Sequence, residues 1–91
     1  MIPLQNFAPG VLAEIIRRQP PSPARTTFAW QLAAGAALAR SSAVVLQDGV
    51  LTVRPKDPRW ARELERASPT ILARLQHLLG PAAVRRIDVT D

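Results

Sequence analysis

An α+β fold with the element order ααββαβ is predicted by three observations. Asp48-Gly49 separates two β-branched runs, a long helical apolar pattern spans Pro58 to Gly80, and a short strand, Val84 to Thr90, with Ile87 and Val89 in alternation, follows it. Together they predict a three-stranded sheet covered on one face by a long helix.

The lead-in, residues 1–9, carries Pro3 and Pro9 and reads as irregular; residues 10–91 read as a single domain. A first helix is expected from Gly10 to Arg18. Val11, Leu12, Ile15 and Ile16 form its apolar face, and Arg17 and Arg18 sit near the negative end of the helix dipole. The run Gln19-Pro20-Pro21-Ser22-Pro23 ends it, since each proline removes a donor and restricts the residue before it.

A second helix is expected over Ala24 to Arg40, with Phe28 and Leu32 on one stripe and Trp30, Ala34, Ala37 and Leu38 on another. Gly35 at its middle is unfavourable by up to ~1 kcal/mol against alanine, so close packing or a helix break must compensate there. Ser41-Ser42 reads as the helix end.

The hairpin follows from Asp48-Gly49, because a two-residue type I′ turn needs positive φ at both central positions. That turn sets Gln47 opposite Val50, Leu46 opposite Leu51 and Val44 opposite Val53. It turns Val44, Leu46, Leu51 and Val53 inward, leaving Val45, Gln47, Val50, Thr52 and Arg54 on the other face. The third helix opens on Asp57 as N-cap and Pro58 at its first position. Trp60, Leu64, Ala67, Ile71, Leu75 and Leu78 keep one apolar phase through Pro69, which predicts a kinked helix rather than a loop. Gly80-Pro81 stops it, and Ile87 and Val89 of the last strand face inward.

Little in the composition can do chemistry. The 91 residues contain no cysteine, which excludes disulfides and thiolate metal sites, and a reduced cytoplasmic setting is compatible with that. His77 is the only histidine and reads as a solvated residue near a helix end; the seven carboxylates are scattered. The four glycines form no phosphate-cradling loop, and Ser41 and Ser42 have no base beside them in sequence. The opening residues lack a charged signal-peptide n-region. The longest apolar run, Phe28 to Ala39, is too short to span a bilayer. These features predict a soluble, cytoplasmic, non-enzymatic protein without cofactor or metal.

The surface is basic, with a net charge of +5; every cation but Lys56 is arginine. Guanidinium groups are permanently charged and matched to phosphate, although a genome rich in GC favours the same composition. Arg59, Arg62 and Arg66 recur on one helical face, Arg54 and Lys56 precede them, and Arg85 and Arg86 precede the last strand. These seven are the candidate nucleic-acid contacts. Arg59–Glu63 and Arg62–Glu65 pairing would instead make the helix face an ordinary solvated one. Trp30 and Trp60 lie on apolar stripes and read as core residues rather than base-stacking platforms; Gly35 and Leu64 join them as structural positions.

Several of these residues recur in a known pattern. Trp30-Gln31-Leu32-Ala33-Ala34-Gly35 precedes the hairpin, then come Pro58-Arg59-Trp60-Ala61-Arg62-Glu63-Leu64, a helix ending Leu78-Leu79-Gly80, and Val84-Arg85-Arg86-Ile87. Over about residues 11–90 the chain resembles the bacterial DciA-like family, long described as a domain of unknown function. The resemblance implies a KH-like fold and a part in DNA replication: association with the replicative helicase, help in loading it onto single-stranded DNA, and binding of single- or double-stranded DNA. Two departures stand out. The sequence stops soon after the domain, without the extended tail many members carry, and it has no GxxG clamp, so a KH-style grip on nucleic acid does not transfer. The absence of cysteine also argues against a zinc-ribbon RNA binder. A KH-like RNA-binding protein and a protein-interaction module docking through the first helix remain the alternative readings.

Overall fold

The computed structural model describes residues 9–90, so all but the last residue of the expected lead-in lies outside the described residues, as does the Leu12 side chain. The elements are α1 (Pro9–Arg18), α2 (Pro23–Ala34), α3 (Ala36–Arg40), β1 (Ser42–Gln47), β2 (Val50–Pro55), α4 (Pro58–Leu79) and β3 (Arg86–Val89). This is the expected α+β architecture, with the second predicted helix divided in two.

The division falls at Gly35, whose φ of 90° and ψ of 162° place it where side-chain-bearing residues are strained. A Cβ there would meet nothing within 4 Å, so backbone conformation rather than crowding selects glycine. Gly35→Ala is accordingly expected to lower stability by about 1–3 kcal/mol in urea unfolding, despite the free space around it.

Helix α1 turns inward only part of the face its apolar residues suggested. Ala13 and Ile16 are buried, whereas Val11 and Ile15 are 49% and 47% exposed. Helix α1 packs against α4, and Arg17 Nη1 donates to the His77 carbonyl at 3.2 Å, tying α1 to the last turn of α4.

The hairpin forms in the predicted register, with φ of 53° at Asp48 and 79° at Gly49. Strand β3 joins β2 in parallel, Leu51 beside Ile87 and Val53 beside Val89, giving the sheet order β1-β2-β3. A parallel partner requires a crossover, and α4 supplies it. Asp57 caps that helix by accepting from the Arg59 backbone N–H at 2.9 Å. The helix runs unbroken through Pro69, which is exposed. The backbone bond it cannot make is therefore missing on the solvent side, while Leu64, Ile71, Leu75 and Leu79 hold the opposite side in the core.

Leu51 and Val53 are completely buried, and Val44, Leu46, Ile87 and Val89 pack partly covered against the same core. The alternate residues Ala43, Val45, Gln47, Arg54, Arg86 and Asp88 are exposed, so the sheet is covered on one face and open on the other. Trp30 fills the core beside Leu51 and Leu64. Its Nε1 donates to Ser42 Oγ at 3.0 Å, and that hydroxyl donates to the Leu38 carbonyl at 2.6 Å. Ser42 is thus more than the helix end read from sequence: it opens β1 and joins α2, α3 and the sheet through one buried hydroxyl.

Candidate nucleic-acid interface

The direct link Pro55-Lys56-Asp57-Pro58 sets the end of β2 against the start of α4, as the sequence anticipated. The seven candidate cations nevertheless fall on different surfaces. Arg54 and Arg86 lie on the open face of the sheet, but Arg86 stands opposite Val50, so four residues of strand, about 13 Å, separate the two along it. Arg59, Arg62 and Arg66 point away from the buried stripe of α4, on the helical side of the molecule. Arg85 stands at the hairpin turn, its Nη2 donating to the Asp48 carbonyl at 2.6 Å and its guanidinium lying where a Cβ on Gly49 would sit. Its backbone N–H bonds the Gly49 carbonyl at 2.6 Å, so Arg85 locks the turn to the approach of β3.

The ion pairs also differ from those expected. Arg59 bonds Asp57 rather than Glu63, through Nε at 3.2 Å and Nη2 at 2.9 Å, because the N-cap carboxylate already faces the first helical turn. Side-chain hydrogen bonding from Arg59 holds the Asp57 carboxyl below its ordinary pKa, and the same contact raises that of Arg59. Glu63 pairs loosely with Arg66 at 3.7 Å instead, and Arg86 pairs with Asp88 at 3.3 Å.

Arg54, Lys56 and Arg62 have no carboxylate partner among the described residues. Lys56 lies in the β2–α4 link and Arg54 at the end of β2, on the open sheet face, while Arg62 stands on the outer side of the first turns of α4, where it lines a shallow hollow with Pro58 and Arg59. Arg40 joins them. The Lys56 backbone N–H donates to the Ser41 carbonyl at 2.8 Å, which brings the end of α3 beside the junction, and Arg40 is exposed and likewise without a carboxylate partner among the described residues. Sequence reasoning missed Arg40, although extending the hairpin register one step past Ser42 and Pro55 sets residue 41 opposite Lys56. Trp60 is half-buried against the core, with one edge beside Arg59.

Among the described residues no cluster of three metal-ligating side chains occurs, and no helix is long and apolar enough to cross a membrane. The fold and this surface define a small α+β domain whose functional groups are arranged on its exterior. The family model described as Dna[CI] antecedent, DciA, matches residues 3–89, nearly the whole chain. The chain belongs to the DciA family, a replication-associated family whose name implies association with the replicative helicase. Searches of curated proteins and of solved structures found no match.

Proposed function

We propose that this protein is a non-enzymatic replication accessory domain of the cytoplasm. In this reading it binds the DNA backbone through the cations at the β2–α4 junction and associates with the replicative helicase to assist its loading. The observation that carries the DNA-binding part is the set Arg40, Arg54, Lys56 and Arg62, exposed cations on or near the β2–α4 link that have no carboxylate partner among the described residues. Ordering such groups against phosphate releases condensed counterions, the main source of sequence-independent affinity. Arg59, Arg66 and Arg86 add to this field. Their exposed pairs are worth about 0–1 kcal/mol, weak enough for a phosphate to displace. Arg85 supports the surface through the hairpin turn.

The test is anisotropy titration of a fluorescent single-stranded oligonucleotide, paired with a pull-down on the replicative helicase. Arg54→Ala/Lys56→Ala/Arg62→Ala is expected to weaken DNA binding strongly while helicase capture persists. Arg59→Ala/Arg66→Ala/Arg86→Ala is expected to weaken it less. Unchanged DNA affinity in the first variant overturns the junction as the binding surface. Helicase capture without DNA retention by the parent protein replaces this reading with a protein-interaction module, and preference for RNA in competition replaces it with an RNA binder.

A further inference from the structure

The sheet has two free edges of opposite character. Strand β3 is four residues long and carries Arg86 and Asp88, features that discourage pairing with another chain. Strand β1 has six residues, Ser42-Ala43-Val44-Val45-Leu46-Gln47, with neither charge nor proline. Its Val45 is 63% exposed, the highest value among the exposed large hydrophobic side chains described.

The hairpin register determines what that edge offers. A two-residue turn makes Gln47 and Val50 a hydrogen-bonded pair, so Val45 with Thr52 and Ala43 with Arg54 are bonded pairs too. The N–H and C=O groups of Val44 and Leu46 therefore point away from β2, and among the described residues neither takes part in the backbone bonds outside the strand ladder. Beside them lies a hollow of about 330 Å³, walled by Pro21, Ser22, Pro23 and Thr26 and floored by Val44, Val45 and Leu46. Donors and acceptors alternating along an extended edge are satisfied by another extended chain.

We propose that β1 is a dimerisation edge and that its occupant is β1 of a second copy, antiparallel about a twofold axis at Val45. In this register Val45 faces Val45 of the second copy as a non-hydrogen-bonded pair, which brings the two exposed side chains together. Val44 exchanges hydrogen bonds with Leu46 of the second copy, whose side chain enters the hollow beside Pro21 and Pro23. Charge complementarity favours self-pairing. The register carries the end of α3, with Arg40, alongside the Asp48-Gly49 turn of the second copy, and neither Arg40 nor Asp48 has an ion-pair partner among the described residues. Symmetry makes this contact twice. Such an exposed pair leaves other guanidinium donors of Arg40 available to phosphate.

Because the chain has no cysteine, single substitutions report the register directly. Sedimentation of the parent protein is expected to show a concentration-dependent dimer. Under mild oxidation Val45→Cys is expected to form a covalent dimer more than about tenfold faster than Gln47→Cys, whose two copies stand about 13 Å apart in this register. Val45→Lys, a change on an exposed position, is expected to be monomeric with an unchanged circular dichroism spectrum. A parent protein that stays monomeric up to ~1 mM, a weak association on the affinity scale, overturns the proposal. So does Val45→Cys cross-linking no faster than Gln47→Cys. Loss of helicase capture in Val45→Lys from a monomeric parent would assign the edge to a strand of that partner instead, and overturn it equally.

Discussion

Trp30→Ala is expected to remove a large share of the stability of this domain. Truncating a fully buried tryptophan forfeits its transfer free energy and leaves a cavity, together about 3–5 kcal/mol. A domain of this length has a total stability on the order of 5–14 kcal/mol, so the loss runs from about a fifth of it to all of it. The loss is larger here than for a tryptophan in a purely apolar pocket, because the indole N–H also satisfies the Ser42 hydroxyl at the start of β1. Two further variants separate the contributions. Ser42→Ala leaves the indole donor buried without a partner, a penalty of about 1–3 kcal/mol, whereas Trp30→Phe keeps much of the volume and removes the donor altogether. Urea unfolding followed by circular dichroism measures all three. A Trp30→Ala midpoint equal to that of the parent would show that the core does not depend on this side chain. Trp60, only half-buried, is expected to be less sensitive to the same truncation.

The second large effect is ionic. If Arg40, Arg54, Lys56 and Arg62 each neutralise one phosphate of a single strand, the logarithm of the binding constant falls with the logarithm of salt at a slope near −2.8, from ~0.7 per contact. Between 50 and 200 mM salt that slope corresponds to a loss of about 50-fold in affinity. Removing Arg54, Lys56 and Arg62 together is expected to reduce the slope by about two, leaving about a 2.6-fold loss over the same salt range. Cations already engaged by Asp57, Glu63 and Asp88 must first exchange a carboxylate for a phosphate, so their removal changes the slope by less than one. A parent slope near zero would mean that phosphate neutralisation is not how this surface works.

Local rules were enough wherever neighbouring residues impose the geometry. Asp48-Gly49 determined the turn, the turn determined the register, and the register determined which faces of β1 and β2 are buried. Asp57-Pro58 and Gly80 likewise marked the ends of α4. The Gly35 break was legible only as an alternative, because low helix propensity says that glycine is unfavourable there but not which remedy the chain adopts. The inward face of α1 was legible only in part, at Ile16. An apolar arc wider than the contact can dock in more than one rotation, and the docked one buries Ala13 and Ile16 and holds Arg17 at the His77 carbonyl. The candidate site shows the same contrast. Helical spacing correctly placed Arg59, Arg62 and Arg66 together on α4, yet it could not foresee that Asp57 would take Arg59 or that Arg40 would arrive beside Lys56. Sequence by itself thus determined the elements and the sign of the surface charge. The tertiary structure alone decided which cations pair with carboxylates, since ion pairing and proximity between segments depend on side chains that meet only after the helices close over the sheet.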